Sequence, residues 1–245
     1  MKKIMLLLFT LPFLATKCND EPPIIADCSG NLNINVKPVF NNKPFVINSV
    51  YIINGKKVRF SKLQFYAYPT TDAKREPCYN NEGLFLNFTG LDDSVTASKG
   101  LVVKIKKQPG TYTTFGLGFG VDDDLNGKKP QDYSSDNPLS KSEEYWEGWK
   151  SYIFFKLEGL MDKDGDGTFE TGVTYHTGSN EVKTSFISNQ TYTVTDKAIT
   201  LNFELNINAL LNNFDFNVLN KIENLSQKDK MKDLMNNLAG ALKSL

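Results

Sequence analysis

The apolar and polar positions of this chain fall into short alternating runs. Leu32, Ile34 and Val36 alternate with Asn33 and Asn35, the period of a half-buried strand. The same period is cleanest at Ile199, Leu201, Phe203, Leu205 and Ile207, with Asn202, Glu204 and Asn206 left to face solvent. Between these runs, strands are predicted at 58–68 (with a slip near Ser61-Lys62), 84–88, 101–105, 112–121, 152–159, 182–187 and 191–194. Asn54-Gly55 has the residue types of a tight hairpin turn after an irregular edge at 45–53. Residues 70–81 are polar, carry Pro77-Cys78 and read as a loop. Glycines 116, 118 and 120 inside a strand mark a bulge or a close approach. Residues 122–144 form a long polar connection with Pro130 and Pro138, of the kind that carries function or motion in a compact domain.

The period changes at the end. Met231, Leu234, Met235, Leu238, Leu242 and Leu245 fall at helical spacing, and Ser226 with Asp229 resembles a capping box. Residues 228–245 are predicted to form an amphipathic helix that packs on the strands or lies on a membrane surface. Its polar face mixes Lys, Asp and Asn, which favours packing. Together the pattern predicts an all-β fold, an antiparallel β-sandwich with a C-terminal amphipathic helix.

The first residues stand apart. Lys2 and Lys3 precede an apolar run at 4–14, too short for a stable bilayer anchor. Cys18 then follows Leu14-Ala15-Thr16-Lys17, where a bacterial lipoprotein signal is cut, although Lys17 occupies a place where a small residue is usual. The chain divides into a signal peptide at 1–17, a tether at 18–29, a sandwich domain at 30–215 and a C-terminal helical segment at 216–245. The competing reading is an ordinary secretory leader with a chance cysteine. Lipid on Cys18 would supply membrane affinity, and Asp20 and Glu21 resemble the surface-export signals of some lipoproteins. The expected location is the cell envelope, lipid-anchored to the outer membrane, facing the periplasm or the surface. In an oxidising compartment Cys28 and Cys78 are expected to pair, closing a loop of about fifty residues and adding about 3–4 kcal/mol. Free thiols or a soft-metal pair are the alternatives.

Composition narrows the chemistry. Lys+Arg and Asp+Glu are both 28 in 245 residues, a formal net charge of zero. Loss of Lys2, Lys3 and Lys17 with the leader leaves 25 basic against 28 acidic side chains, net −3. No basic stripe with interleaved aromatics points to nucleic acid. His176 is the one histidine, with no serine placed beside it, and neither a G-x-S-x-G elbow nor a P-loop occurs. The chain is therefore expected not to be an enzyme. Its rare residues gather instead: Trp146 and Trp149 are the two tryptophans, some thirty residues before His176. Between them and His176 lies Asp162-Lys163-Asp164-Gly165-Asp166-Gly167. Oxygen ligands at loop positions one, three and five, with glycine at six, suit a hard cation such as Ca2+. An EF-hand puts a bidentate Glu at position twelve. Here that residue is Val173, Glu170 falls at position nine, and the flanks read as strands. Asp162, Asp164, Asp166 and Glu170 are thus candidate Ca2+ ligands or a solvated hairpin turn.

Several of these runs resemble one known family. Phe60-Ser61-Lys62-Leu63-Gln64-Phe65-Tyr66, Phe115-Gly116-Leu117-Gly118, Gly120-Val121-Asp122, Asp136-Asn137-Pro138-Leu139, Tyr145-Trp146, Tyr152-Ile153-Phe154-Phe155-Lys156-Leu157-Glu158-Gly159 and Tyr175-His176-Thr177-Gly178 are similar, in order, to the MbnP-like copper-binding domain family. The match covers most of residues 30–210, and the run from Tyr152 is quite specific. The resemblance implies a periplasmic or outer-membrane-associated β-sandwich. In some members copper is bound through histidines and a tryptophan that a dihaem partner, of the MauG or cytochrome c peroxidase type, oxidises to kynurenine. His176 matches the second histidine and Trp146 the first tryptophan, while Trp149 sits one position later than the second. Asn137 stands in place of the first histidine, and an amide oxygen is a poor Cu(I) ligand beside imidazole. The resemblance thus implies a copper site reduced to His176, Trp146 and Asn137, with Trp146 and Trp149 as candidates for oxidation. Two alternatives share the same sandwich: a non-catalytic cell-surface binding or adhesion module, and a substrate of the dihaem enzyme.

Overall fold

The computed structural model describes residues 27–71, 74–75, 78–79 and 83–245. The expected leader at 1–17, the lipidation site Cys18 and the tether up to residue 26 lie outside these residues. In chain order the strands are β1 (Gly30–Phe40), β2 (Lys43–Pro44), β3 (Val50–Ile53), β4 (Lys56–Thr71), β5 (Lys74–Arg75) and β6 (Leu84–Asn87), then helix α1 (Ser94–Lys99), β7 (Leu101–Lys107), β8 (Gly110–Phe119) and helix α2 (Asp123–Asn126). They continue with β9 (Tyr145–Trp146), β10 (Ser151–Asp162), β11 (Thr171–Gly178), β12 (Thr184–Val194), β13 (Ile199–Asn206), helix α3 (Ile207–Leu210), β14 (Lys221–Ile222), helix α4 (Lys228–Ala241) and β15 (Leu242–Ser244).

Two sheets form. One runs β15-β13-β1, with β7 and β2 along the other side of β1. The second runs β12-β8-β4-β10-β11-β14 and is organised on the long β4, which also takes β3, β5 and β6, while β9 pairs β10. Period-two alternation sends Leu32, Ile34 and Val36 of β1 and Phe203 and Leu205 of β13 inward, against Phe60, Phe65, Phe115, Leu117 and Phe119 of the second sheet. Phe115 meets Phe203 with ring centroids 5.2 Å apart. Each such side chain contributes about 1.5–3 kcal/mol through burial.

The all-β sandwich is as expected, but not every pairing is antiparallel. β1 and β13 run parallel, from Leu32 opposite Ile199 to Val39 opposite Asn206, and β14 runs parallel to β11. All of the second sheet but β14 lies between β1 and β13 in the chain, so no hairpin dictates their direction. Asn33 and Asn35 of β1 donate across that pair to Thr200 and Asn202.

Two local expectations hold. Ile53 pairs Lys56 across Asn54 and Gly55, at φ 52° and 76°, the left-handed pair of a two-residue hairpin turn. The slip near Ser61 is a bulge: Glu158 faces Lys62 but Gly159 faces Phe60. The long 122–144 connection is built from α2 and three 3-10 turns, at Pro130–Asp132, Pro138–Ser140 and Ser142–Glu144. Asn126 ties it to β10: its amide nitrogen donates to Ser151 and Asn180, and its oxygen accepts from the Tyr152 backbone N–H.

The C-terminus differs from its prediction. Helix α4 buries Met231, Leu234, Met235, Leu238 and Ala241, yet it stops at Ala241. Leu242 then enters β15 opposite Leu205 and covers the edge of β13. Helical spacing reported only that Leu242 is buried, and a strand buries it equally well. The capping box is carried by Asn224 and Gln227 rather than Ser226 and Asp229. Asn224 Oδ1 accepts from the Ser226 N–H, and Gln227 Oε1 accepts from the Asn224 N–H. Cys28 and Cys78 form a disulfide with Cα atoms 5.4 Å apart, in the ordinary range.

Candidate metal centre

Three strands place the polar groups around His176. Lys156 on β10 lies opposite His176 on β11 and Gln64 on β4, so these side chains share one face of the second sheet. Glu158, two residues along β10, turns the same way. Its Oε1 lies 2.9 Å from His176 Nε2, and its Oε2 lies 3.0 Å from Lys62 Nζ. The hydrogen bond from His176, reinforced by Lys62, lowers the Glu158 carboxyl to about 2 against the desolvation that opposes it. An ionised carboxylate can only accept, so Nε2 carries a proton, and the neutral tautomer compatible with this contact has its lone pair on Nδ1. His176 is 9% exposed, and its Nδ1 is buried with no hydrogen-bond partner among the described residues.

Aromatic rings lie beside the imidazole. The Trp146 ring meets His176 edge-on, with centroids 6.1 Å apart and planes at 69°. Trp149 stacks on Trp146 at 4.8 Å and 10°. Behind Trp149 lies Gly178, where a Cβ would come within 2.6 Å of Trp149 Cε3. The glycine that closes the Tyr175-His176-Thr177-Gly178 run is therefore the space in which the tryptophan stack sits.

The stack is held down by a buried ion pair. Glu144 Oε2 lies 2.7 Å from Lys156 Nζ, both side chains almost inaccessible. Gln64 Nε2 donates to Glu144 Oε1 at 2.5 Å, and Lys156 Nζ donates to the Glu143 carbonyl at 3.2 Å. Two residues on, Trp146 pairs Ser151 in the short β9–β10 ladder. Sequence reasoning missed Gln64, Glu144, Lys156 and Glu158. The available signal was Lys156 and Glu158 at alternate positions of an otherwise apolar run, which a buried strand face tolerates only when the charges are paired.

Asn137 is engaged in a cap. Its Oδ1 accepts from the Leu139 N–H at 2.9 Å, capping the 3-10 turn at Pro138–Ser140. The same segment is pinned where the Tyr152 hydroxyl donates to the Leu139 carbonyl and the Tyr66 hydroxyl to that of Pro138. Tyr152 and Lys156 are four residues apart on β10, about 13 Å at strand rise. Asparagine before proline is a strong cap, and the cap takes one lone pair of the Asn137 amide oxygen. Among the described residues, no group of three or more His, Cys, Asp or Glu ligands within reach of one ion includes His176.

One such group exists in the β10–β11 hairpin. Asp162, Asp164, Asp166 and Glu170 each offer an oxygen, all within 4.8 Å of one another. Two ligands of one Ca2+ at about 2.3–2.6 Å stand at most about 4.6–5.2 Å apart, so this spacing suits a single ion. Backbone folds the loop inward: Asp162 accepts from the N–H groups of Gly165 (2.7 Å) and Gly167 (3.1 Å), and Glu170 Oε1 from that of Lys163 (3.3 Å). Hydrogen bonds from Thr168 hold the Asp166 carboxyl below its ordinary range. Asp162 is buried, whereas the other three are exposed.

Comparison with known proteins agrees with this architecture. The structure is similar to that of MbnP from Methylosinus trichosporium, with a TM-score of 0.51 and 14% identity over 76% of this chain and 79% of that one. At that identity the likeness shows the fold. No curated protein sequence matches the chain. The profile of the family described as MbnP matches residues 29–229, most of the chain. The chain belongs to the MbnP family.

Proposed function

We propose that this module is a metal-handling protein of the cell envelope that takes up copper on Nδ1 of His176. One observation carries the reading: Nδ1 is buried without a partner while Nε2 is engaged by Glu158. A carboxylate on the far nitrogen fixes the tautomer and raises the basicity of a ligating imidazole. Trp146 and Trp149 wall the site and limit access of water. The donor set fits one copper–imidazole bond but not the two-histidine set of the family resemblance, because His176 is the one histidine and Asn137 stands where the other would be. Copper would thus be held more weakly and exchange more readily than at a pair of imidazoles, which suits transfer better than storage. Equilibrium dialysis with Cu(I) and Cu(II) tests this on the wild type and on His176→Ala. We expect about one copper held by the wild type and its loss in the variant. Equal uptake by the two proteins sinks the proposal.

Export and a lipid anchor at Cys18 complete this reading. The Cys28–Cys78 disulfide supports it, because such bonds persist in oxidising compartments. Trp146, next to His176, is then the tryptophan offered to a dihaem partner, with Trp149 stacked behind it. Peptide mass mapping after co-expression with such a partner checks this, and two unmodified tryptophans count against it.

The hairpin loop supports a second, separate reading, Ca2+ binding by Asp162, Asp164, Asp166 and Glu170. Its support is the mutual approach of four carboxylates, which repel one another without a cation. Calorimetric titration with Ca2+ tests it, and an absence of binding heat at millimolar Ca2+ rejects it.

A further inference from the structure

Nδ1 of His176 is buried, so a metal reaches it only when part of its surroundings moves. The sheet is the fixed part. His176 pairs Lys156 of β10 on one side of β11, and β14 pairs Thr174 and Tyr175 on the other. The movable part is the turn that carries Trp146 and Trp149. Its two ends are anchored. Glu144 before it is buried against Lys156, and the Ser151 hydroxyl after it accepts from Asn126 Nδ2 and from the Ser179 N–H.

Between these anchors, residues 146–150 are held lightly. β9 pairs β10 over two residues, Tyr145 with Tyr152 and Trp146 with Ser151. The next backbone bonds are internal to the turn: the Trp149 N–H donates to the Trp146 carbonyl at 3.0 Å, and the Lys150 N–H to that of Glu147 at 3.1 Å. Lys150 stands at φ 50°, a left-handed conformation that costs a non-glycine residue and that a lifted turn releases. Among the described residues, one polar side chain reaches the turn from outside. Lys129 Nζ lies 2.9 and 3.2 Å from the two carboxylate oxygens of Glu147. Lys129 is itself fixed, because its N–H donates to Asp132 at 2.8 Å where the Pro130–Asp132 turn begins.

We propose that residues 146–150 form a flap beside His176, that the Lys129–Glu147 ion pair latches it closed, and that metal enters and leaves when it lifts. The proposal deepens, and rests on, copper uptake at His176. It gives the long 122–144 connection a task, which is to set the rate of metal exchange without touching the metal. The latch is weak by construction. Both its side chains are exposed, and such a pair favours the closed flap by about a factor of three. Salt screens it, so exchange is faster at high ionic strength.

Hydrogen exchange of the metal-free, full-length protein tests the flap, comparing wild type with Lys129→Ala. The amides of residues 146–150 should exchange about threefold faster in the variant, while those of Thr171–Gly178 match in both. Equal rates across 146–150 overturn the proposal. Lys228→Ala removes an exposed ion pair with Glu181 and should leave the same amides unchanged. Faster exchange there also overturns it, because the effect then does not belong to the latch. Stopped-flow mixing with anaerobic Cu(I) tests metal entry through the emission of Trp146 and Trp149, the two tryptophans of the chain. The rate should level off as Cu(I) rises, with a plateau about threefold higher in Lys129→Ala. A rate that climbs in proportion to Cu(I) throughout overturns the gating. Protein that binds no Cu(I) refutes the copper reading and the gating with it, whereas the exchange result still decides the flap.

Discussion

The His176 pocket and the Asp162 hairpin are neighbours in sequence and opposites in construction. The hairpin gathers four oxygens from nine consecutive residues, and backbone N–H groups of the same loop orient them. The pocket gathers one nitrogen, one carboxylate and two indoles from β10, β11 and the segment before β10, and a buried ion pair seats the segment. A hard-cation site can be local because hard cations take many weakly specified oxygens. A soft-metal site needs few donors in a dry place, and dryness is a tertiary property. Damage to the packing should therefore disable the pocket and spare the hairpin.

The largest effect is expected at the ion pair. Lys156→Met leaves Glu144 buried and unpaired, and should cost about 3–5 kcal/mol in urea unfolding. The variant should lose copper uptake while keeping Ca2+ binding. A Lys156→Met protein of wild-type stability would show that the pair does not seat the tryptophans. The hairpin is sharpened from the other direction. Ca2+ at a hundred times its Kd should raise stability by about 2.7 kcal/mol, and Asp162→Asn/Asp166→Asn should abolish that gain without touching copper uptake. An undiminished gain in the double variant would remove the loop as the site.

The same contrast explains what could be read from the sequence. Asp162-x-Asp164-x-Asp166-Gly167 announces itself because its ligands are adjacent in the chain. Strands with clean alternation, such as Ile199–Asn206, were equally legible, since one face of each is buried. The partners of His176 were not. Glu158 reaches His176 only through the β10–β11 register, and Glu144 reaches Lys156 only because the 138–146 segment crosses β10 lengthwise. The place of Asn137 in the sequence suggested a ligand. Its cap on the Pro138 turn follows a local rule that the sequence also carried. The parallel β1–β13 pair and the strand at Leu242 were hidden because alternation and helical spacing report burial, not direction or partner.

Two smaller effects probe the pocket alone. Gly178→Ala drives a methyl into Trp149 and should cost about 1–3 kcal/mol, with a red shift of tryptophan emission and weaker copper uptake. An unchanged emission maximum would mean that the stack does not rest on Gly178. Glu158 gives the weakest signal and the clearest sign. Its carboxyl is lowered from 4.5 to about 2 on folding, so its contribution is complete above about pH 4.5 and lost as pH falls toward 2. Thermal unfolding of the wild type and Glu158→Gln should differ above pH 4.5 and converge near pH 2. A difference that grows on acidification contradicts the role given to Glu158.

The central claim concerns one nitrogen atom in a chain with one histidine. Nitrogen-15 labelling of histidine therefore gives the NMR signals of His176 alone, and Cu(I) is diamagnetic. The free protein should show the proton on Nε2 and an unprotonated Nδ1, and anaerobic Cu(I) should shift the Nδ1 resonance far more than that of Nε2. A ring protonated on Nδ1, or resonances that do not move with Cu(I), would contradict it.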